Sequence, residues 1–260
     1  MKQSTILFLM VFFVAGSAAA QTNDTIIITP KDVNTNVLKE GEHRYLVYFK
    51  MAPGATRTNT NFWTRKIERT TTNGKPTITV RQQWEDKDTI MHATTSVSDA
   101  VTMQTISHES WWKGRGSADV DFEKRLLKIN GQVVTDADTA KRTVASLNAF
   151  KSTDGQFSLN WHLDLEVFPT MPFKKGRVFL IPFYDPGTPL ALDKVAYTVT
   201  GSEIIIGYDN QKIDCWIMIH ETKGNKEKFY ISKKTKEVLK LEQEINGKMW
   251  RYKIKMPFSN

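Results

Sequence analysis

Short stretches in which apolar and polar residues alternate run along most of the chain, and they predict a β protein. The stretches are rich in Val, Ile, Thr and aromatic residues and follow one another closely. A period of two is typical of strands that bury one face, and close succession favours a meandering antiparallel sheet. We predict strands over residues 25–29, 43–51, 62–71, 77–84, 89–95, 101–110, 117–122, 124–129, 177–182, 194–199, 203–208, 211–220 and 226–232.

Three Asn-Gly pairs predict tight turns within this sheet. Both residue types tolerate a positive φ, which the two central positions of a type I′ hairpin turn require. The pairs are Asn73-Gly74, Asn130-Gly131 and Asn246-Gly247.

The last of these turns also predicts a register for the final hairpin. A two-residue loop would place Leu241 opposite Tyr252 and Glu242 opposite Arg251. That register collects the apolar side chains on one face and an attractive charge pair on the other, and a slip by one residue would reverse the faces of a strand.

Two segments depart from the strand pattern and predict helices. Residues 138–150 fit a short helix capped by Asp138 or Thr139. Residues 154–168 fit a more apolar helix that Pro169 would end. The apolar side chains of that second segment recur at helical spacing at Phe157, Trp161, Leu165 and Phe168. A helix this apolar is expected to be buried, and we predict that it plugs a curved sheet.

The N-terminal residues have the layout of a secretory signal peptide. Lys2 is followed by an unbroken apolar run over residues 6–14 and by small residues at 18–20. These are the n-region, h-region and cleavage site of such a signal. We expect cleavage between Ala20 and Gln21, which leaves residues 21–260 as a single exported domain, periplasmic or secreted. Since no cysteine lies near the cleavage site, we expect no lipid anchor.

Charge and cysteine content restrict the expected partners and exclude an intramolecular disulfide. The formal net charge is +8, and residues 223–255 alone carry eleven basic and four acidic side chains. A basic C-terminal face could meet an anionic membrane surface or an anionic glycan, whereas nucleic acid is not an expected partner outside the cytoplasm. Cys215 is the only cysteine, so no intramolecular disulfide can form. It occupies an apolar position of an alternating strand, which predicts a buried side chain.

The chain shows no motif that assigns a reaction. Nucleophile elbows, zinc-binding helices, phosphate loops and calcium loops are all missing from the sequence. The five histidines are scattered, and none stands two or four residues from another. We therefore expect no enzymatic activity, no metal and no cofactor, with an unrecognised hydrolase as the least favoured alternative. The most site-like local cluster is His108-Glu109 beside Trp111-Trp112, which could stack on a sugar or line the mouth of a cavity.

The C-terminal portion has a characteristic succession of hairpins. Residues 214–219 (DCWIMI), 229–235 (FYISKKT) and 238–242 (VLKLE) follow one another across short turns. This succession resembles that of exported bacterial proteins related to the lipoprotein-sorting carriers LolA and LolB. The upstream order is similar to that of an uncharacterised exported family with this architecture. The resemblance implies a strongly curved antiparallel sheet, an open half-barrel, with one or two short helices on its concave side. In the sorting carriers that concavity holds lipid acyl chains.

The favoured hypothesis is a non-enzymatic exported protein that binds an apolar or amphipathic ligand, such as a lipid, on its concave side. A scaffold that contacts another envelope protein or an anionic glycan through its basic C-terminal face is the alternative. The candidate ligand-binding residues are Trp161, Leu165, Phe168, Trp216, Phe229 and Trp250, joined by Trp111 and Trp112.

Overall fold

The computed structural model describes residues 24–257, which form one large, curved and unclosed sheet of sixteen strands with few short helices. The prediction of a mostly β fold with a strongly curved antiparallel sheet is confirmed. The predicted signal peptide, residues 1–20, lies outside the described residues. Within them, no helix is both long and apolar enough to cross a bilayer.

The strands vary from two to fifteen residues. They are β1 (Asp24–Ile27), β2 (Gly41–Lys50), β3 (Thr58–Thr72), β4 (Lys75–Asp86), β5 (Thr89–Asp99), β6 (Thr105–Trp112), β7 (Gly116–Asp121), β8 (Leu126–Ile129), β9 (Gln132–Val133), β10 (Leu159–Asn160), β11 (Arg177–Tyr184), β12 (Asp193–Ile206), β13 (Lys212–Thr222), β14 (Asn225–Ser232), β15 (Val238–Ile245) and β16 (Met249–Met256). The helices are α1 (Lys141–Lys151) and α2 (Asp164–Val167), with 3₁₀ turns at Pro30–Asp32, Thr35–Val37, Trp161–Leu163 and Phe168–Thr170.

Two antiparallel meanders make up the sheet. One runs from β2 to β9 and the other from β11 to β16, and they join where β16 pairs with β2. The short strands β1 and β10 both pair with β11 in parallel, so the sheet is not purely antiparallel. We call the face that carries Trp63, Arg65, Met218 and Leu241 the inner, concave face, because the helical segments pack against it.

All three Asn-Gly pairs form the predicted turns. Each asparagine and each glycine of the three pairs has a positive φ, between 51° and 77°. The first two turns close two-residue hairpin loops, with Thr72 opposite Lys75 and Ile129 opposite Gln132. The strongest local signal in the sequence is therefore confirmed.

The predicted register of the last hairpin is wrong by one residue. Leu241 lies opposite Lys253, and Glu242 lies opposite Tyr252. Lys248 donates its backbone N–H to Ile245 O at 3.1 Å, as a type I′ turn requires, but the strand pairing resumes only at Met249. One extra residue after a turn shifts every later pair and reverses the faces of the strand.

The observed register is favoured by contacts that the hairpin alone does not contain. It turns Lys253 to the inner face, where its Nζ lies 3.9 Å from Asp164 Oδ2. It turns Tyr252 outward, where its ring stacks on Tyr48 with centroids 5.0 Å apart. Tertiary partners therefore decide the register, since the Asn-Gly turn is satisfied in the predicted register as well as in the observed one.

The predicted helix over residues 154–168 does not form. Gly155 has a φ of +66°, which ends helical geometry at its start, and the two residues of β10 pair with β11 instead. The carbonyl of His162, which would accept a bond within a helix, accepts from Arg65 at 2.8 Å and from Gln82 at 2.7 Å. Only the four residues of α2 are α-helical. The apolar residues of this segment are buried against several different neighbours. Their spacing along the sequence cannot distinguish that arrangement from a single apolar face of a helix.

The first predicted helix does form, as α1. Its N-cap is Ala140, which provides no side-chain cap, so the prediction of Asp138 or Thr139 as the cap is wrong. Asp138 instead accepts the backbone N–H of Thr135 at 2.7 Å and closes a turn before the helix. The helix packs through Leu147 and Phe150 against β7 and β8.

The main core lies between the inner face and the segment around α2, and it is filled by tightly packed apolar side chains. Phe168 is fully buried, with its ring centroid 4.7 Å from that of Phe229 and 4.8 Å from that of Tyr197. A smaller apolar cluster on the outer face contains Cys215, which is fully buried as its position in the sequence predicts. Burial also raises the pKa of this thiol to about 12.

The loop after β11 touches the sheet through Gly187, and this contact yields a stability prediction. Gly187 has a φ of +82°, and a Cβ there would lie 2.4 Å from Ala118 Cβ. We expect Gly187→Ala to lower the free energy of unfolding by about 1–3 kcal/mol, because it combines a left-handed backbone with overpacking. Gly54→Ala is the matched control, since no described residue other than its chain neighbours has an atom within 4 Å of its Cβ position. Urea unfolding of both variants measures the difference, and equal stabilities would contradict the contact.

Candidate functional site

A buried ion pair organises the centre of the inner face. Arg65 on β3 is fully buried and donates from Nε to Glu166 Oε1 at 2.8 Å, with a second, short bond from Nη2 to Glu166 Oε2. Asp164 Oδ1 lies 3.6 Å from Arg65 Nη1. Burial alone would lower the pKa of Arg65, but the carboxylates of Glu166 and Asp164 raise it.

More charged side chains border this pair. Lys253 on β16 has its Nζ 4.1 Å from the centroid of the Trp63 ring. Burial lowers the pKa of Lys253 to about 7, against the opposing effect of Asp164. Burial likewise lowers the pKa of Arg251 and raises that of Glu227, which influence each other. Three cations and three carboxylates thus share the centre of the sheet, with their formal charges in balance.

Three histidines lie beside the charged cluster, although they are distant in sequence. The ring centroid of His162 is 4.6 Å from that of His108 and 5.6 Å from that of His92. His92 donates from Nδ1 to Trp111 O at 2.9 Å, since a carbonyl can only accept. His162 Nε2 lies 3.1 Å from Asp185 Oδ1. Burial lowers the pKa of His92 to about 4 and that of His108 well below its usual value, which keeps both rings neutral.

This polar cluster is only partly paired, because His92 Nε2, His108 Nε2 and Gln82 Oε1 are buried without a hydrogen-bond partner among the described residues. His108 Nδ1 accepts from Asn160 Nδ2 at 3.0 Å and bonds with Ser96 Oγ at 2.8 Å. Among residues 24–257, no group of three or more His, Cys, Asp or Glu side chains could hold a metal ion. The hydrogen bonds that Arg65, Gln82 and His108 make with Asn160 and the carbonyl of His162 hold the irregular segment at residues 159–166 against the sheet.

An open groove lies where the N-terminal segment, the chain after α2 and strand β13 meet. Its volume is about 740 Å³. The rings of Phe173 and Trp216 stack there with centroids 5.9 Å apart and planes 13° apart, and Phe179 supports Phe173 from behind at 5.6 Å. Asn34 donates its backbone N–H to Thr170 O at 3.1 Å, which holds two walls together. The groove thus combines a surface of stacked aromatic rings with two walls that a backbone hydrogen bond joins.

Positive charge surrounds this aromatic surface. Among residues 24–257, the groove is lined by Lys31, Lys174, Arg177 and Lys236 but by a single acid, Asp32. Lys174 and Arg177 each contact Asp24, and Asp32 accepts from Thr29, whereas Lys31 and Lys236 have no ion pair within the described chain. Lys233 Nζ also lies 4.6 Å from the centroid of the Trp216 ring. The site can therefore accept an apolar group and a negative charge together.

The structure separates the eight side chains that the sequence nominated for ligand binding. Leu165, Phe168 and Phe229 fill the core, and Trp216 lines the groove just described. Trp161 is partly exposed and contacts Phe183, with ring centroids 5.2 Å apart.

The remaining three tryptophans divide between the two faces. Trp250 lies on the outer face, opposite Lys50 and Glu244, rather than on the concave side, because the register is shifted by one. Trp111 and Trp112 point to opposite faces, as neighbours on a strand must. Trp112 stacks on His92 at 3.8 Å on the inner face. Trp111 is 43% exposed and lines a polar groove of about 420 Å³ on the outer face.

The eleven basic side chains of residues 223–255 do not form one face, which corrects the prediction. Arg251 and Lys253 point inward, and Lys255 contacts Glu237 at 3.2 Å. Four others are paired with acids: Lys226 with Glu221, Lys228 with Glu203, Lys233 with Asp214 and Lys240 with Glu242. The excess charge of the C-terminal stretch is therefore distributed over both faces and largely compensated locally.

The sequence indicated part of this arrangement but missed its buried charges. Arg65 stands between Trp63 and Ile67 at an inward position of a strand, so its place in the alternation was a usable signal. No comparable signal marked Lys253, because its face depends on the register of the last hairpin. The groove is built from three segments that are distant in sequence, so only Trp216 could be anticipated.

Comparisons with known proteins find a matching family model and a similar solved structure. No curated protein matches this chain. Among solved structures, the chain is similar to a β-barrel-like protein of a domain of unknown function, DUF1849, from Brucella abortus. The two share 8% identity, with 85% of this chain and 98% of that chain covered and a TM-score of 0.43. The family model for proteins of unknown function, DUF3108, matches residues 44–256. The chain therefore belongs to the DUF3108 family of proteins of unknown function.

Proposed function

We propose that this protein is an exported, non-enzymatic binding protein for an amphipathic ligand with an acyl chain and an anionic head group. The observation that carries the proposal is the groove at Phe173 and Trp216, an aromatic surface bordered by basic side chains. Export is supported by the signal-like residues 1–20. The resemblance to LolA and LolB in the C-terminal hairpins adds support for an acyl ligand.

The location of the groove refines the expected binding mode. The centre of the concave face is occupied by Leu165, Phe168 and Phe229, so an acyl chain has no space there. The groove lies at the margin of the concave face and has a volume in the range that holds a small ligand. We therefore place the acyl chain along Phe173 and Trp216.

Charge selects the head group. Lys31 and Lys236 line the groove without ion pairs among residues 24–257, so a negative group there gains two partners without displacing existing ones. A carboxylate or phosphate fits this role, whereas a cationic head group would be repelled. The ligand is thus a single-chain anionic lipid or a molecule with the same two parts.

The test uses dodecanoate below its micellar concentration as the probe, with calorimetric titration of the full mature protein. We expect saturable binding, and we expect Trp216→Ala to weaken it by about tenfold or more, because a large apolar contact is lost. Dodecanol at the same concentration should bind more weakly, since it lacks the charge. Trp111→Ala, which removes an exposed indole on the outer face, is the matched control and should bind as the unaltered protein does.

Two outcomes would contradict the proposal. One is the lack of any saturable binding by the unaltered protein. The other is equal binding by the Trp216→Ala and Trp111→Ala variants. Native mass spectrometry of protein from its own envelope gives an independent measurement, since a carrier should retain an extractable lipid. A protein that instead co-purifies with an envelope protein and without lipid would favour the alternative role of a scaffold.

A further inference from the structure

The hairpin formed by the ends of β12 and β13 extends beyond the rest of the sheet. β12 pairs with β11 only as far as Thr198, and β13 pairs with β14 only from Cys215 onward. From Glu203 to Ile213, within the part of the chain that the structure describes, the two strands have only each other as ladder partners. A bulge between Val199 and Gly201 marks the base of this extension. Isolated two-stranded hairpins are marginally stable, so this one requires an explanation.

The tip of the hairpin exposes large apolar side chains. Ile204 is 64% exposed, Ile206 is 54% exposed and Tyr208 is 75% exposed. Ile204 and Ile206 share one face, which is also the face of Trp216. Apolar side chains concentrated at one exposed projection are typical of a surface that contacts a partner or a membrane.

We propose that this hairpin docks the protein on an anionic lipid bilayer, with Ile204, Ile206 and Tyr208 entering the interfacial region. Isoleucine side chains enter the acyl boundary, and tyrosine is enriched at the level of the head groups. The inference rests on the proposed function in one respect, namely that the groove takes its ligand from such a surface.

The charges around the hairpin favour an anionic bilayer over an apolar protein surface. Lys212 stands opposite Ile206 on the same face, and Lys175 lies beside Gly201 at the base. Of the nearby acids, Asp214 is paired with Lys233 and Glu203 with Lys228. Asp209 in the tip accepts neutral N–H groups of Gln211, so its single charge stands against the two lysines Lys175 and Lys212. Basic side chains near a bilayer attract anionic lipids over the distance of a Debye length.

Continuity with the groove supports the same occupant. Ser202 pairs with Trp216, so the exposed strip that begins at Ile204 leads directly to the aromatic surface of the groove. A hairpin seated in the interface would therefore bring the groove close to the lipid that it is proposed to bind. A partner protein could cover the strip as well, but it would not need the lysines at the base.

The first test is vesicle flotation with the full mature protein. We expect flotation with vesicles of equal parts phosphatidylglycerol and phosphatidylcholine, and much less with pure phosphatidylcholine. The triple variant Ile204→Ser, Ile206→Ser, Tyr208→Ser should lower the bound fraction by about tenfold or more. The matched control changes Ile90, Val101 and Leu190 to Ser, which are exposed apolar residues elsewhere, and should float like the unaltered protein.

A second measurement locates the contact without removing it. The single cysteine, Cys215, is fully buried, so Tyr208→Cys can be labelled with an environment-sensitive maleimide dye. The emission should shift to the blue on adding anionic vesicles, while the same dye at Val101→Cys should not respond. Equal responses at both positions, or flotation unaffected by the triple variant, would overturn the proposal. Because none of the three substituted residues lines the groove, the triple variant should still bind dodecanoate in the absence of vesicles, which separates a failure of docking from a failure of ligand binding.

Discussion

Replacing Glu166 by alanine is expected to lower the free energy of unfolding by about 3–5 kcal/mol, because it leaves the fully buried guanidinium of Arg65 without its carboxylate partner. Arg65 has no exposed surface, and within the described chain Glu166 is the one partner that makes two hydrogen bonds with it. Asp164 at 3.6 Å and the carbonyl of His162 do not replace the lost carboxylate. Urea unfolding, with the midpoint and the slope measured together, gives the change in stability.

The double variant Arg65→Met, Glu166→Leu separates the cost of an unpaired buried charge from the cost of lost packing. Replacing both members of a buried pair by apolar side chains is often neutral or stabilising, whereas removing one is costly. We expect the double variant to be more stable than the Glu166→Ala variant, although Asp164 then loses its nearest cation. A loss below about 1 kcal/mol in the single variant would show that the pair is solvated and does not hold residues 159–166 in place.

Replacing Lys253 by methionine is expected to change the pH dependence of stability. The pKa of Lys253 is lowered to about 7 by burial, so between pH 7 and about 10.5 the unfolded chain binds more protons at this position than the folded chain. The unaltered protein should therefore gain stability as the pH rises from 7 to 9. Below pH 7 the lysine is charged in both states, and the full cost of burying it is present.

The methionine variant should lack this rise and be more stable than the unaltered protein at pH 6, on the order of a few kcal/mol. Lys226→Met, which changes an exposed lysine with 49% of its side chain accessible, is the matched control and should leave the slope unchanged. Thermal or urea unfolding at pH 6, 7, 8 and 9 provides the comparison. Parallel curves for the Lys253→Met variant and the unaltered protein would show that the lysine reaches solvent.

Features that depend on a few neighbouring residues were predictable from the sequence. The Asn-Gly turns are one example, because the positive φ at Asn73 and Gly74 is a property of the two residues themselves. Burial of Cys215 is another, because alternation along one strand assigns it to an apolar face. The fold class followed from many such local signals that agree with one another.

Features that depend on distant partners were not predictable in the same way. The register of the last hairpin follows from Tyr48 and Asp164, which lie far from it in sequence. The segment at residues 154–168 loses its helix because Arg65 and Gln82 take the carbonyl of His162. The sequence nominated Trp216, which lines the groove, as a candidate ligand-binding residue, but it gave no means of joining this residue to Phe173 and Lys31.

The pairing of β16 with β2 affects how the chain folds. Strand β2 begins at Gly41 and β16 ends at Met256, so the contact that unites the two meanders closes a loop spanning nearly the whole domain. Such closure is entropically costly and slow. A chain that has not yet added its final strand keeps two long ladder edges open, at β2 and at β15. Open edges can pair with strands of other chains, so we expect the chain without β16 to aggregate more readily than the chain in which β16 and β2 have paired.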